Sequence, residues 1–189
     1  MTWKECKKLI LEDLKRTTNN PSKVNAIRFM ITNASFKMSF WFRIGTYLQG
    51  KRWWKLSYYL VFWHYKQLMY KTSIQLPLGT NVGGGLKFYH FGNVVINKNT
   101  TIGKNISIYN GVSIGINGQS FPPIIGDNVV ICTGAKVIGN IIIGNNCVIG
   151  ANSVVIRDIP ENSVAVGVPA RVLKNKGGYN YAQQFISHK

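Results

Sequence analysis

Apolar residues recur every six positions between Ile96 and Pro160. The first units read Ile96-Asn-Lys-Asn-Thr-Thr, Ile102-Gly-Lys-Asn-Ile-Ser and Ile108-Tyr-Asn-Gly-Val-Ser. After an interruption the pattern resumes at Ile125-Gly-Asp-Asn-Val-Val and runs to Val155-Ile-Arg-Asp-Ile-Pro. Every unit opens on Ile or Val, and its fifth position is small or β-branched, as at Thr100, Val112, Ala135, Cys147 and Ser153. A period of six matches neither the 3.6 of a helix nor the two-residue alternation of one strand. It matches short strands joined by tight turns and wound into a coil, the signature of a parallel β-helix. Gly and Asn crowd the intervening places because both tolerate positive φ. Counted backward, the phase puts Leu78, Gly84 and His90 in opening slots. From Ile114 to Ile125 the step is 11 residues rather than six, so residues 115–123 form an extruded loop. Loops that break a rigid repeat are common places for function.

The chain before the repeat reads differently. Thr2-Trp-Lys-Glu5 has capping-box spacing and opens a helix with Trp3, Cys6, Ile10 and Leu14 on one stripe. Asn19-Asn-Pro21 ends it, and Ser22 caps a second helix through Val24, Ile27 and Ile31. A third covers Phe36 to Leu48, and a fourth starts at Lys51-Arg52. Residues 1–73 are therefore an α-helical, basic and aromatic region. Residues 74–172 form the β-helix, and 173–189 form a tail with a short helix from Tyr179 to Ser187.

Charge sharpens the picture. Of 23 Lys and Arg, 14 fall in residues 1–71 with only 3 of the 6 acidic residues, within a formal net charge of +17. Such an excess points to an anionic partner. Around residues 36–71 aromatic side chains alternate with Lys and Arg. Two readings stand: packing against the β-helix or a neighbouring subunit, or peripheral association with anionic lipid. No nucleic-acid motif is evident. Three cysteines, Cys6, Cys132 and Cys147, make no disulfide framework. Cys132 and Cys147 read as packing residues in a reducing compartment. Met1 leads into charged residues rather than an apolar leader, so a cytoplasmic protein is expected, with the inner membrane face as its other location.

His90 is the one histidine between residues 65 and 187. From spacing alone, a structural histidine is the plainer reading. The hexads, the His-x-Gly-x-x-Val segment at 90–95, the offset loop and the ending Gly167-Val-Pro-Ala-Arg171 together resemble the hexapeptide-repeat acyltransferases. Within them the nearest likeness is the serine acetyltransferase-like branch, in particular the O-acetyltransferases of surface-polysaccharide synthesis. The likeness covers roughly residues 74–173. It implies a left-handed β-helix, a homotrimer, and acetyl-CoA as acyl donor between coils of adjacent subunits. It also implies that His90 is the general base, taking a hydroxyl proton near neutral pH. Gln75 stands where the branch has an aspartate behind the histidine. Gly115 offers a turn N–H for the oxyanion. Positions matching the coenzyme site are Thr133, Gly134, Ala135, Gly150 and Ala151, with Arg171 and Lys174 for the phosphates.

Where that branch carries an Asp for the serine ammonium and an Arg-His pair in the loop, this chain has Tyr89, Phe121 and Pro122. Tyr89 and Phe121 suit the face of a sugar. The expectation from sequence is therefore an acetyl-CoA-dependent O-acetyltransferase acting on a glycan acceptor, a capsular, exopolysaccharide or lipid-linked precursor. Serine O-acetylation and a non-catalytic β-helical scaffold are the alternatives. A zinc enzyme on this scaffold needs three histidines; the repeat holds only His90, so no metal is expected.

Overall fold

The computed structural model describes residues 1–118, 121–173 and 178–186. Four helices precede the coil: α1 (Trp3–Lys15), α2 (Lys23–Thr32), α3 (Ala34–Leu48) and α4 (Lys55–Thr72), the last entered through a 3-10 turn at Arg52–Trp54. The capping box at Thr2 and Glu5 forms in both directions, and Ser22 and Asn33 cap α2 and α3 through side-chain oxygens. Each cap satisfies an amide that the helix itself cannot. The chain leaves α4 through Ser73 in the left-handed region.

The coil then winds in rungs of three short strands. The first rung is β1 (Ile74–Gln75), β2 (Asn81–Val82) and β3 (Lys87–Tyr89). The second is β4 (Val94–Ile96), β5 (Thr101–Ile102) and β6 (Ser107–Tyr109). The third is β7 (Ser113–Gly115), β8 (Ile124–Ile125) and β9 (Val130–Ile131). The fourth is β10 (Lys136–Ile138), β11 (Ile142–Ile143) and β12 (Val148–Ile149). β13 (Val154–Val155) and a closing hairpin, β14 (Val164–Gly167) with β15 (Ala170–Val172), end the coil, and α5 (Gly178–Ile186) follows.

Three faces result. β1, β4, β7, β10 and β13 make the first, β2, β5, β8 and β11 the second, and β3, β6, β9, β12 and β14 the third, all parallel. Among the described residues only β14–β15 is antiparallel. The fold is thus a parallel β-helix with an α-helical N-terminal region. Its core is three aliphatic columns. One face stacks Ile96, Ile114, Val137 and Val155; the next Val82, Ile102, Ile125 and Ile143; the third Phe88, Ile108, Ile131 and Ile149. All of these are buried, and so are the fifth-position residues at the corners. Between the second and third faces, Asn105, Asn128, Asn146 and Asn162 adopt φ of 55–57°. Their side-chain amides join in a ladder, each Nδ2 donating to the next Oδ1 at 2.9 Å.

The helices cover the open end of the coil, where β-helix backbone would otherwise meet water unpaired. Met38, Phe42 and Tyr65 enter the same apolar core as the rungs, each worth about 1.5–3 kcal/mol when fully buried. Tyr65 Oη donates to the Leu76 carbonyl at 2.7 Å. The Phe88 amide donates to Ser35 Oγ at 2.9 Å.

One expectation needs correction here. His90 does not occupy an inward aliphatic slot. The ladder pairs Ile74 with Val94 and Phe88 with Ile108, so the first rung is 20 residues long, against 18 from Ile96 to Ile114. The extra two residues lie in the corner 90–93. Phe88 fills the core, while His90 stands exposed on that corner with φ of 63°.

Candidate functional site

The corner between the third and first faces gathers several of the predicted residues. It begins at His90 and continues through Gly92, Asn110-Gly111, Thr133-Gly134 and Ala151-Asn152, one turn per rung. Backbone hydrogen bonds fasten each turn to the next. Gly111 N donates to Gly92 O at 2.9 Å, Gly134 N to Asn110 O at 2.9 Å, and Asn152 N to Thr133 O at 2.8 Å. Gly134 has φ of 75°, and a Cβ there would run into Asn152 Oδ1, so only glycine fits. The result is a low ridge of backbone and small side chains, open to a flexible ligand arm along its length. Thr133 Oγ1 donates to Asn110 Oδ1 at 3.1 Å, and Lys136 Nζ donates to the Gly111 carbonyl.

Beside His90 the rings of Tyr89 and Tyr109 stack at 4.8 Å and 9°. They stand one above the other because β3 and β6 pair in register. The His90 ring lies 6.1 Å from that of Tyr109, and Lys87 Nζ sits 4.6 Å from the Tyr89 ring centre. Burial, helped by the nearby Arg16 guanidinium, pulls the Lys87 ammonium down to about 8. Burial raises the Tyr89 and Tyr109 phenols. Arg16 itself reaches from α1 to donate to Ser107 Oγ at 2.7 Å.

Gln75 lies on the first face, paired with Val95. It borders a cavity of 460 Å³ shared with Asn93, Val95 and Ser73 and roofed by Lys66, Met69 and Tyr70 of α4. Asn93 closes the His90 corner, with φ of 53°, so the cavity and the histidine flank one turn.

Other predicted residues sit elsewhere. Gly115 ends β7, across the first face from the ridge; four extended residues from Gly111 span roughly 13 Å. Its position is open, with nothing near a hypothetical Cβ. Phe121 is 74% exposed on the loop that follows, at the corner between the first and second faces. Ala135 faces inward, wholly buried, and its N–H and C=O are both paired, to Cys132 O and Ser113 N. Gly150 and Ala151 do belong to the ridge, at its last turn: the Gly150 amide donates to Ala165 O at 2.8 Å, and Ala151 is exposed. Arg171 is exposed on β15, in the hairpin whose Gly167 amide donates to Ser153 Oγ at 3.1 Å. Lys174 lies outside the described residues. Asn110, Gly111, Tyr109 and Asn93 were not singled out from sequence. The signal for Tyr109 was present: it stands one 20-residue rung beyond Tyr89.

Residues 122–157 match the family described as bacterial transferase hexapeptide (six repeats). A serine acetyltransferase of Staphylococcus aureus is 45% identical over 109 residues, 56% of this chain and 51% of that protein. The chain thus spans about half the length of the curated relatives it matches. The Neisseria gonorrhoeae serine acetyltransferase, solved in complex with serine, superposes with a TM-score of 0.73 at 28% identity, covering 90% of this chain and 70% of that one. A serine acetyltransferase in complex with CoA gives 0.73 at 27% identity, covering 90% and 71%. Over residues 122–157 the repeat is similar to the hexapeptide transferases, and the wider likeness is to serine acetyltransferases. That corrects the expectation of a glycan acceptor: these relatives and structures are serine acetyltransferases.

Proposed function

We propose that the chain is an acetyl-CoA-dependent O-acetyltransferase of the serine acetyltransferase kind, with L-serine as acceptor. The observation that carries it is the ridge: an exposed His90 at the head of a column of small, backbone-rich turns, in a chain of which 90% superposes on a serine acetyltransferase in complex with CoA.

In this reading the pantetheine arm lies along Thr133, Gly134, Gly150 and Ala151, where absent side chains let it bond with peptide groups. Arg171 stands near the phosphate end. His90 takes the proton from the serine hydroxyl as the oxygen attacks the thioester carbonyl. The tetrahedral adduct collapses, the carbon–sulfur bond breaks, and His90 returns the proton to the leaving thiolate. General-base help of this kind is worth about 10²–10⁴ in rate. Gln75 flanks the His90 turn and orients the ring through its amide oxygen, without the charge a carboxylate would bring.

Gly115 and Phe121 cannot serve the His90 of their own chain from the opposite corner. A homotrimer sets that corner of one protomer against the ridge of the next, and the Gly115 N–H then faces the oxyanion. Tyr89 and Phe121 replace the charged pair expected for an amino acid. The serine carboxylate is met instead by Lys87, beside the Tyr89–Tyr109 stack.

Following free thiol release from acetyl-CoA with and without L-serine tests the proposal. A serine-dependent rate is expected. Tight CoA binding with release no faster than hydrolysis would reject serine as acceptor.

A further inference from the structure

The chain carries no acidic residue between Asp13 and Asp127. Within that span lies a run of exposed apolar side chains. Trp53 is 96% exposed, Leu56 75% and Trp63 65%, with Tyr59 and Leu60 between them. At spacings of three and four along the 3-10 turn and α4 these residues form one outward stripe, while Tyr65 on the opposite side enters the core. Arg52, Lys55 and Lys66 flank the stripe. Lys66 Nζ sits about equally between two rings, 6.0 Å from Phe62 and 5.8 Å from Tyr70. Among the described residues no helix is long and apolar enough to cross a membrane.

We infer that this face of the 3-10 turn and α4 docks on an anionic phospholipid surface. Tryptophan and tyrosine prefer the boundary where one end of the ring is apolar and the other wet. Lys and Arg beside them meet anionic headgroups while their stems stay along the apolar surface. The helix is too short in apolar length to span, so it lies in the plane of the interface. A second copy is a poor occupant. It would bring the same cations, and the face offers no carboxylate to pair them, so like charges would be pressed together. Charge complementarity therefore selects an anionic partner, and the exposed tryptophans select one with a hydrocarbon boundary.

The test uses the full chain with vesicles of phosphatidylcholine containing phosphatidylglycerol, against phosphatidylcholine alone. The expected result is co-sedimentation with the anionic vesicles at low salt and release at high salt, with a blue shift of tryptophan emission. Replacing Trp53 and Trp63 together by Ser should weaken partition by at least on the order of tenfold. Lys55→Gln alone should weaken it about fivefold. Circular dichroism and sedimentation velocity of each variant, unchanged from the parent, exclude a folding defect as the cause. Three results overturn the inference. One is equal or absent binding to the two vesicle types. The second is shielding of Trp53 and Trp63 from iodide in the free protein, which assigns the face to a second copy. The third is binding to soluble polyglutamate as tight as to vesicles without an emission shift, which assigns it to an acidic protein.

Discussion

Arg43 grips Asp13 with two prongs, Nε 3.0 Å from Oδ2 and Nη2 3.2 Å from Oδ1, where neither side chain meets water. The guanidinium also donates to the Val82 and Gly83 carbonyls, each at 2.6 Å. The carboxylate accepts from the Gly85 and Leu86 amides at 2.8 and 2.9 Å. α1, α3 and the first rung are thus joined at one point. Removing either partner leaves a buried charge without its counter-ion, a loss of about 3–5 kcal/mol. Urea unfolding of Asp13→Ala and of Arg43→Met should each show it. The double variant should lose less than the two losses added, because the second change removes an already orphaned charge.

His90→Ala should lower turnover by at least about 10²-fold. The side chain is exposed and its ring fills no core slot, so thermal unfolding should be unchanged. A steady-state assay beside a melting curve checks both. Near-normal turnover would remove His90 from the chemistry.

Gly134→Ala combines two penalties. The backbone there is left-handed, which costs a residue with a Cβ about 1–2 kcal/mol, and the new methyl meets Asn152. The ridge must shift at the turn assigned to pantetheine. Weaker CoA affinity by calorimetry is expected, together with a lower melting temperature.

The Lys87 ammonium sits at about 8 because burial and Arg16 disfavour its charge. Its folded pKa lies below the unfolded value, so the folded state releases its proton first as pH rises. Stability therefore increases from about pH 8 towards the ordinary lysine range, and the charge penalises folding fully below that window. Lys87→Met should stabilise the protein at pH 7 and stabilise it less above pH 10. Paired denaturation curves at the two pH values give the comparison. A gain independent of pH would mean that Lys87 is not the group being relieved.

Much of this was legible in the hexads, because a core only one side chain wide dictates what stands at every sixth place. The first rung was misread for a physical reason. Two phases compete there. One runs Leu78, Gly84, His90, Ile96; the other runs Leu76, Val82, Phe88, Val94. The second is apolar throughout, and its Val82 and Phe88 are the residues in register with the core columns. The two extra residues in the corner 90–93 shift the phase before β4 begins, and an unbroken count from Ile96 cannot see that. The helical third was less readable. Its caps showed, but the Asp13–Arg43 pair joins residues 30 apart through tertiary packing, which no local pattern announces. The separation of Phe121 from His90 likewise depends on which corner each turn occupies, a property of the winding rather than of either segment.

The asparagine ladder has an outcome for how the molecule withstands change. Each interior amide is both giver and receiver, so cutting Asn128 strands Asn105 Nδ2 on one side and Asn146 Oδ1 on the other. Trimming Asn162 disturbs a single step. Damage tolerance is therefore uneven: forgiving at either end of the ladder, brittle at the waist.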